Sequence, residues 1–297
     1  MKLFVVGSIN MDLVIRAPFM PENGMTIKGD LFMTNPGGKG ANQAVAIKKL
    51  GGNAYMVGAV GKEFGDELIN TLNSYGVNTE FVEKLDNVSS GIAVITVVDN
   101  DNRIILSEGS NGLVSKELID RALENANSGD YLITQLEIPT DIVLYSLKKG
   151  KEKGMVTVLN PAPAKVLPEE IFNYVDYFTP NQTETEFYTK ILPTTVENAI
   201  ECAKILKDKG IKNIIITMGK DGSFAYSNEK TYTAPCFKVK AIDTTAAGDT
   251  FIGALCTALS EGKTLQESMI FGAKASSITV TRVGAQQSIP SRKELEL

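Results

Sequence analysis

Two stretches of this 297-residue chain carry chemistry in their residue types and spacing. The first is Asp243-Thr244-Thr245-Ala246-Ala247-Gly248-Asp249-Thr250-Phe251, which runs into an apolar segment of helical period over 252–259. The small residues Ala246, Ala247 and Gly248 leave backbone amides uncovered where a helix starts, and such amides attract anions. Asp249 falls in the first turn, where the helix dipole favours a negative charge. An amide nest beside a carboxylate is what transfer of a phosphoryl group to an alcohol requires: a cradle for developing charge and an acceptor for the alcohol's proton. Taken alone, the same aspartate is an ordinary helix-capping residue. The coincidence of both features in one turn is what shifts the reading.

The second stretch is Pro36-Gly37-Gly38-Lys39-Gly40-Ala41-Asn42-Gln43-Ala44. Its glycines let backbone approach a ligand closely. A helix is expected directly after, from 41 to 50, with its free N–H groups pointing toward the loop. Lys39 and Asn42 offer polar groups to hydroxyls. The stretch lacks the GxxxxGK[ST] spacing of a Walker A loop, and the first strand runs into Gly7-Ser8-Ile9-Asn10 rather than GxGxxG. The plainer alternative is a glycine-rich turn that caps a helix.

The rest of the composition narrows the chemistry. There is no histidine, which removes Ser-His-Asp and Cys-His catalysis and every His-ligated metal site. Cys202, Cys236 and Cys256 are far apart and read as free thiols. The net charge of -5, with no basic cluster, argues against nucleic acid as a partner. No apolar run reaches the ~18 residues of a membrane span. The opening MKLFVVGSINMD reads as a core strand rather than a signal peptide, so a cytoplasmic location and no membrane partner are expected.

Positioning these groups falls to an alternating pattern. Segments 3–6, 54–60, 131–134, 156–159, 177–179 and 214–217 are rich in β-branched or aromatic residues and read as strands. Segments 41–50, 64–75, 115–125, 140–149 and 196–209 have helical period, the first closed by Gly51-Gly52 and the second by Gly76, with Ser115 as an N-cap. This order predicts an α/β fold: a doubly wound, mostly parallel sheet with helices on both faces, three layers in a single domain over 1–297. Segments 12–16 and 26–35, and the hairpin of 91–98 with 103–107 around Asp99-Asn100-Asp101-Asn102, break the alternation. They predict a small antiparallel sheet, from about 11–35 and 91–107, placed as a lid over the carboxyl ends of the parallel strands.

The chain resembles the ribokinase-type, or PfkB, carbohydrate kinase family. The resemblance rests on Gly7-Ser8-Ile9-Asn10-Met11-Asp12, Gly37 to Ala44 with Gly51 and Gly61, Gln135-Leu136-Glu137, Asn160-Pro161-Ala162-Pro163-Ala164, Thr179-Pro180-Asn181-Gln182-Thr183-Glu184, Asp243 to Cys256, and Gly284-Ala285-Gln286. These segments span nearly the whole chain in order.

The resemblance implies ATP-dependent phosphorylation of D-ribose at O5. It makes Asp249 the base, with the amides of Ala246, Ala247, Gly248 and Asp249 as the anion hole. Asn10, Asp12, Gly38, Lys39, Asn42, Glu137 and Asp249 match positions that hold the sugar. Asn181 and Glu184 match a motif that organises Mg²⁺ and phosphates, although the same spacing would serve a helix cap. Thr217, Gly219, Lys220, Gly222, Gly248 and Ala273 match nucleotide positions, and alanine at 273 offers the base no side-chain hydrogen bond. K⁺ or another monovalent cation is implied at Asp243, Thr245, Thr279, Arg282, Gly284 and Ser288, mostly through carbonyls. A homodimer through the lid is implied as well. Other acceptors (2-deoxyribose, fructose, a nucleoside) and a non-enzymatic sugar- or nucleotide-binding regulator remain the alternatives.

Overall fold

In the computed structural model, which describes residues 1–99 and 101–296, thirteen strands and nine α-helices are found among the described residues. The first half runs β1 (Leu3–Val6), β2 (Asn10–Arg16), β3 (Leu31–Gly37), α1 (Lys39–Lys49), β4 (Ala54–Val60), α2 (Gly65–Ser74), β5 (Asn78–Lys84), β6 (Gly91–Val98), β7 (Asp101–Ser107), α3 (Lys116–Leu123), β8 (Tyr131–Thr134) and α4 (Thr140–Glu152). The second runs β9 (Val156–Leu159), β10 (Tyr177–Phe178), α5 (Gln182–Thr189), α6 (Val196–Asp208), β11 (Asn213–Thr217), β12 (Ser223–Ser227), β13 (Lys230–Ala234), α7 (Ala247–Ser260), α8 (Leu265–Thr279) and α9 (Arg292–Leu295).

Nine strands form one sheet in the order β13-β12-β11-β10-β9-β8-β1-β4-β5. It is parallel from β11 to β5, while β12 and β13 close one edge as an antiparallel meander. β1 explains why a continuous apolar run suits a central strand. Leu3 and Val5 face one buried cluster with α1, α2 and α7, whereas Phe4 and Val6 face another with α3, α4 and α6. Alternate side chains of one strand thus enter two cores, which gives the three layers expected from the sequence. The chain leaves β1 for β4 on one side and meets β8 on the other. This reversal of strand order beside β1 is where open α/β sheets leave a crevice at their carboxyl ends.

The second sheet has the order β3-β2-β6-β7. Its hairpins β2–β3 and β6–β7 are antiparallel as expected, but β2 pairs β6 in parallel, so the small sheet is mixed rather than purely antiparallel. The strand expected over 26–35 begins only at Leu31, after an extended arm without ladder bonds. In the β6–β7 turn, Asn100 lies outside the described residues. β2 begins at Asn10 and β3 ends at Gly37, so both strands grow out of the crevice above β1. Among the described residues no helix is long and apolar enough to cross a membrane, and all three cysteines are free.

Candidate active site

The crevice is built from the loops that follow β1 and β8 and from the first turns of α1 and α7. α1 starts at Lys39, two residues earlier than expected, with Gly38 before it at φ 90°, a conformation that costs glycine nothing. Gly40 lies against the β1 loop. A Cβ there would sit 2.7 Å from the Gly7 carbonyl carbon and from the Ser8 nitrogen, so only glycine allows the approach. That approach decides where the amides of α1 go. Lys39 N–H donates to Glu137 Oε2 (3.2 Å), Gly40 N–H to Ser8 Oγ (3.3 Å) and Ala41 N–H to the Ser8 carbonyl (2.9 Å). The expectation that these amides stand free for a ligand is therefore corrected. They are spent on holding β1, α1 and the end of β8 together.

Across the crevice, α7 begins differently. Ala246 precedes it at φ 59°, a left-handed conformation that alanine adopts at a cost, and no side chain caps the helix. The Ala247 amide turns back to the Thr244 carbonyl at 3.2 Å. The amides of Ala246, Gly248 and Asp249 have no partner among the described residues. Three of the four expected amides are thus open, and a Cβ on Gly248 would meet nothing within 4 Å.

Asp249 does not cap its own helix. Its buried carboxylate turns to α1, where Oδ2 accepts from Asn42 Nδ2 and Oδ1 from Gln43 Nε2, each at 3.0 Å. Asn42 Oδ1 is buried and has no partner within the protein, a vacant acceptor beside that carboxylate. Glu137 accepts from Ser8 Oγ at 2.6 Å. Asn10 is buried and its Oδ1 accepts from Asn111 Nδ2 at 2.7 Å, which leaves the Asn10 Nδ2 donors for the crevice.

The charges interlock. Burial pulls the Lys39 ammonium down, but the carboxylates of Asp249, Glu137 and Glu184 outweigh it and hold the group above its ordinary value. Burial, and then the negative charges of Glu137 and Asp249, push the Asp12 carboxyl up to about 7. The folded state therefore keeps a proton on Asp12 that the unfolded chain loses near 3.8, and stability supplied by that proton fades as pH rises from about 4 through about 7. Asp12→Asn removes this dependence. Its melting temperature relative to wild type is expected to climb between pH 4 and 8 in paired thermal scans, and a constant difference would contradict the shift.

Asn181 caps α5 in a complete capping box. Asn181 N–H donates to Glu184 Oε2 (2.8 Å) and Glu184 N–H to Asn181 Oδ1 (2.8 Å). Burial first, and then the Asp249 charge, raise Glu184, opposed by the Asn181 amide and by Lys39, so Glu184 feels both Lys39 and Asp249. Thr217 bridges to Asn181 at the end of β11. Gly219, Lys220 and Gly222 form the turn from β11 to β12, with Gly219 and Lys220 exposed. Ala273 lies partly buried on α8, which packs against α7 and β13. These four stand outside the hydrogen-bonded cluster around Asp249.

The six expected cation residues lie together beside α7. Asp243 Oδ1 accepts from Thr245 N–H (2.9 Å) and Oγ1 (2.6 Å), and Oδ2 accepts from Gly284 N–H (2.9 Å). Asp243 N–H meets the Val280 carbonyl, Thr279 Oγ1 meets Thr250 Oγ1 (3.1 Å), Arg282 N–H meets the Thr279 carbonyl, and Ser288 Oγ donates to the Ala285 carbonyl. The Arg282 guanidinium is paired with Glu294. Among the described residues no three Cys, Asp or Glu side chains gather to hold a metal.

Residue types alone did not single out Ser8, Gln43, Asn111, Gln135 or Asn160, whose hydrogen bonds place the candidates. Only Gln43 carried a signal, a polar side chain next to Asn42 in an otherwise small and apolar helical stretch, whereas Ser8, Gln135 and Asn160 follow strands and Asn111 lies in a short 3-10 turn.

Known proteins resemble this chain along nearly its whole length. Residues 1–292 match the family described as pfkB family carbohydrate kinase. A ribokinase of Schizosaccharomyces pombe is 42% identical over 308 residues, covering 99% of this chain and 96% of the relative. A deoxyribokinase of Salmonella typhimurium is 38% identical over 296 residues, covering 98% of this chain and 96% of the relative. The structure of an Arabidopsis thaliana ribokinase complexed with ribose and ATP superposes with a TM-score of 0.90 at 31% identity, over 99% of this chain and 97% of that one.

Proposed function

We propose that this chain, which belongs to the pfkB family of carbohydrate kinases, transfers the γ-phosphoryl group of ATP to O5 of D-ribose, giving D-ribose 5-phosphate and ADP. One observation carries the mechanism: the Asp249 carboxylate, held by two α1 amides, stands at the foot of a helix whose first amides are open. The ribose O5 hydroxyl gives its proton to Asp249 as its oxygen bonds to the γ-phosphorus. The bond from that phosphorus to the β–γ bridging oxygen breaks, and ADP leaves. The transition state is loose, so positioning and charge stabilisation do most of the work. The amides of Ala246, Gly248 and Asp249 receive the developing charge.

Asp12 and Glu137 accept sugar hydroxyls, Asn10 and Lys39 donate, Asn42 offers its vacant Oδ1, and Gly38 lets the backbone come close. Thr217, Gly219, Lys220, Gly222 and Ala273 take the nucleotide. Asn181 and Glu184 fit Mg²⁺ held through water, since few carboxylates and retained waters suit that ion. Mg²⁺ neutralises charge on the phosphates. The oxygen-only set of Asp243, Thr245, Thr279, Arg282, Gly284 and Ser288 fits a monovalent cation, K⁺ being the expected one, and Asp243 already ties that loop to Gly284. The enzyme is cytoplasmic in this reading, in keeping with its free thiols.

A panel of D-ribose, 2-deoxyribose, fructose and adenosine, with ADP release followed in K⁺, Na⁺ and choline, tests substrate and cation together. D-ribose is expected to be phosphorylated fastest, with K⁺ above choline. Equal rates on ribose and fructose would defeat the substrate assignment, and indifference to the cation would defeat the cation site.

The small sheet is the lid of this site, because β2 and β3 begin and end on its residues. Phe32 (65% exposed), Ile104 (55%), Ile105 (74%) and Leu106 (47%) are exposed on it, and β7 is an edge strand. An apolar edge of this kind fits a second copy of the chain. Sedimentation at micromolar concentration is expected to return about twice the 32.0 kDa chain mass; a monomer would exclude it.

A further inference from the structure

We infer that Gln43 is a positioning residue for the reaction, the last link of a buried amide relay that aims the Asp249 carboxylate. The inference rests on the reading of Asp249 as the base. Behind Asp249 three buried amides join in one direction. Asn160 Nδ2 donates to the Thr179 carbonyl at 3.1 Å, and a backbone carbonyl only accepts, so Asn160 must turn its Oδ1 the other way. That Oδ1 accepts from Gln43 Nε2 at 3.2 Å. Gln43 Oε1 accepts from Gln135 Nε2 at 2.7 Å. With its oxygen pinned by Gln135 and one proton given to Asn160, Gln43 has one proton left, and it goes to Asp249 Oδ1 at 3.0 Å.

A flipped Gln43 amide would set oxygen against the oxygens of Asn160 and Asp249 and nitrogen against nitrogen at Gln135. The orientation is therefore determined by a main-chain carbonyl at the end of β10, two links from the carboxylate. Asn42 holds the other oxygen, Oδ2, from the substrate side. Asn42 has a vacant Oδ1 that a ligand can fill, whereas Gln43 is enclosed by protein and has none. Gln43 thus fixes the carboxylate plane independently of the substrate. Loss of such alignment acts on the chemical step, where a misplacement of about 1 Å can cost on the order of 10²-fold.

The test uses Gln43→Leu, which keeps the bulk and removes the amide. Its kcat is expected to fall about 10- to 100-fold, with the D-ribose dissociation constant from calorimetry within about 3-fold of wild type. In the Asp249→Asn background the same change is expected to have no further effect on kcat, because a residue that acts through the carboxylate has nothing left to aim. Wild-type kcat in Gln43→Leu, ribose binding lost in proportion to kcat, or losses that multiply in the double variant would each overturn the relay. If Gln43→Leu does not fold, Gln135→Leu replaces it. Gln135 Oε1 has no partner to lose, and its removal leaves Gln43 Oε1 without its donor, which loosens the amide without turning it, with an expected kcat loss of about 3- to 10-fold at unchanged ribose affinity. An unchanged kcat there overturns the relay as well. Full activity of Asp249→Asn would instead defeat the base assignment, a separate outcome.

Discussion

Asp249→Asn is expected to lower kcat by at least about 10²-fold while D-ribose affinity changes only a few-fold, the range in which positioned general bases contribute. The substitution is close to isosteric. Asn42 Nδ2 and Gln43 Nε2 both point at the carboxylate, and an amide can accept from one of them only by turning its own NH₂ toward the other. One bond is lost, the side chain leaves its plane, and the proton acceptor is gone. Phosphoryl transfer through a loose transition state depends less on base strength than on alignment, so the residual rate reports how much the open amides of α7 achieve alone. Steady-state kinetics with calorimetric ribose binding separates the two quantities. A kcat within about 10-fold of wild type would take Asp249 out of proton transfer.

The cluster around Asp249 shows what was legible beforehand and why. Asp249 and the small residues before it were readable because both features fall within one helical turn, so spacing along the chain equals spacing in the molecule. α1 was legible as a helix for the same local reason. What its first turn faces was not, since that depends on Gly40 meeting Gly7 and Ser8, more than thirty positions away. The amides of α1 therefore seemed free when they are bonded to Ser8 and Glu137. Asn181 and Glu184 illustrate the converse. Both the capping and the phosphate-side readings were open, and the capping box is formed while Glu184 also lies in the field of Lys39 and Asp249. Strands β5 and β13 and helices α8 and α9 escaped the pattern reading. β5 has no fully buried residue and β13 a single one, so neither carries an apolar run, and α8 is apolar on more than one side, so no single stripe marks it.

Lys39→Met carries the other large effect, because Lys39 is the ammonium that balances the site. Methionine keeps a four-atom unbranched stem without the ammonium, and the main-chain bond from residue 39 to Glu137 Oε2 survives, so the change acts chiefly on charge. Glu137, Asp249 and Glu184 are then left with little compensation. Lys165, whose nearest acidic neighbours are Glu108 and Glu137, is partly exposed and lowered by its own burial. Lys39 acts on these carboxylates through its charge and not through a bonded ion pair. Removal of one preorganised charge from such a site is expected to lower kcat/KM by roughly a hundredfold. The sign of the stability effect follows from the same shift. A lysine held above its ordinary value contributes stability that is present in full well below 10.5 and is lost only as pH rises through the folded value. At pH 7 the whole contribution therefore disappears in Lys39→Met. As pH falls toward 5, Asp12, which lies in the field of Glu137 and Asp249, takes up its proton near 7, and the deficit shrinks. Denaturant midpoints at pH 5 and 7, with kcat/KM for ribose at pH 7, read both effects. Lys39→Arg, which restores charge in a broader head group, is expected to recover stability more fully than turnover. A loss in kcat/KM below about 10-fold in Lys39→Met, with equal midpoints at the two pH values, would mean that the carboxylates are neutralised by something other than this side chain.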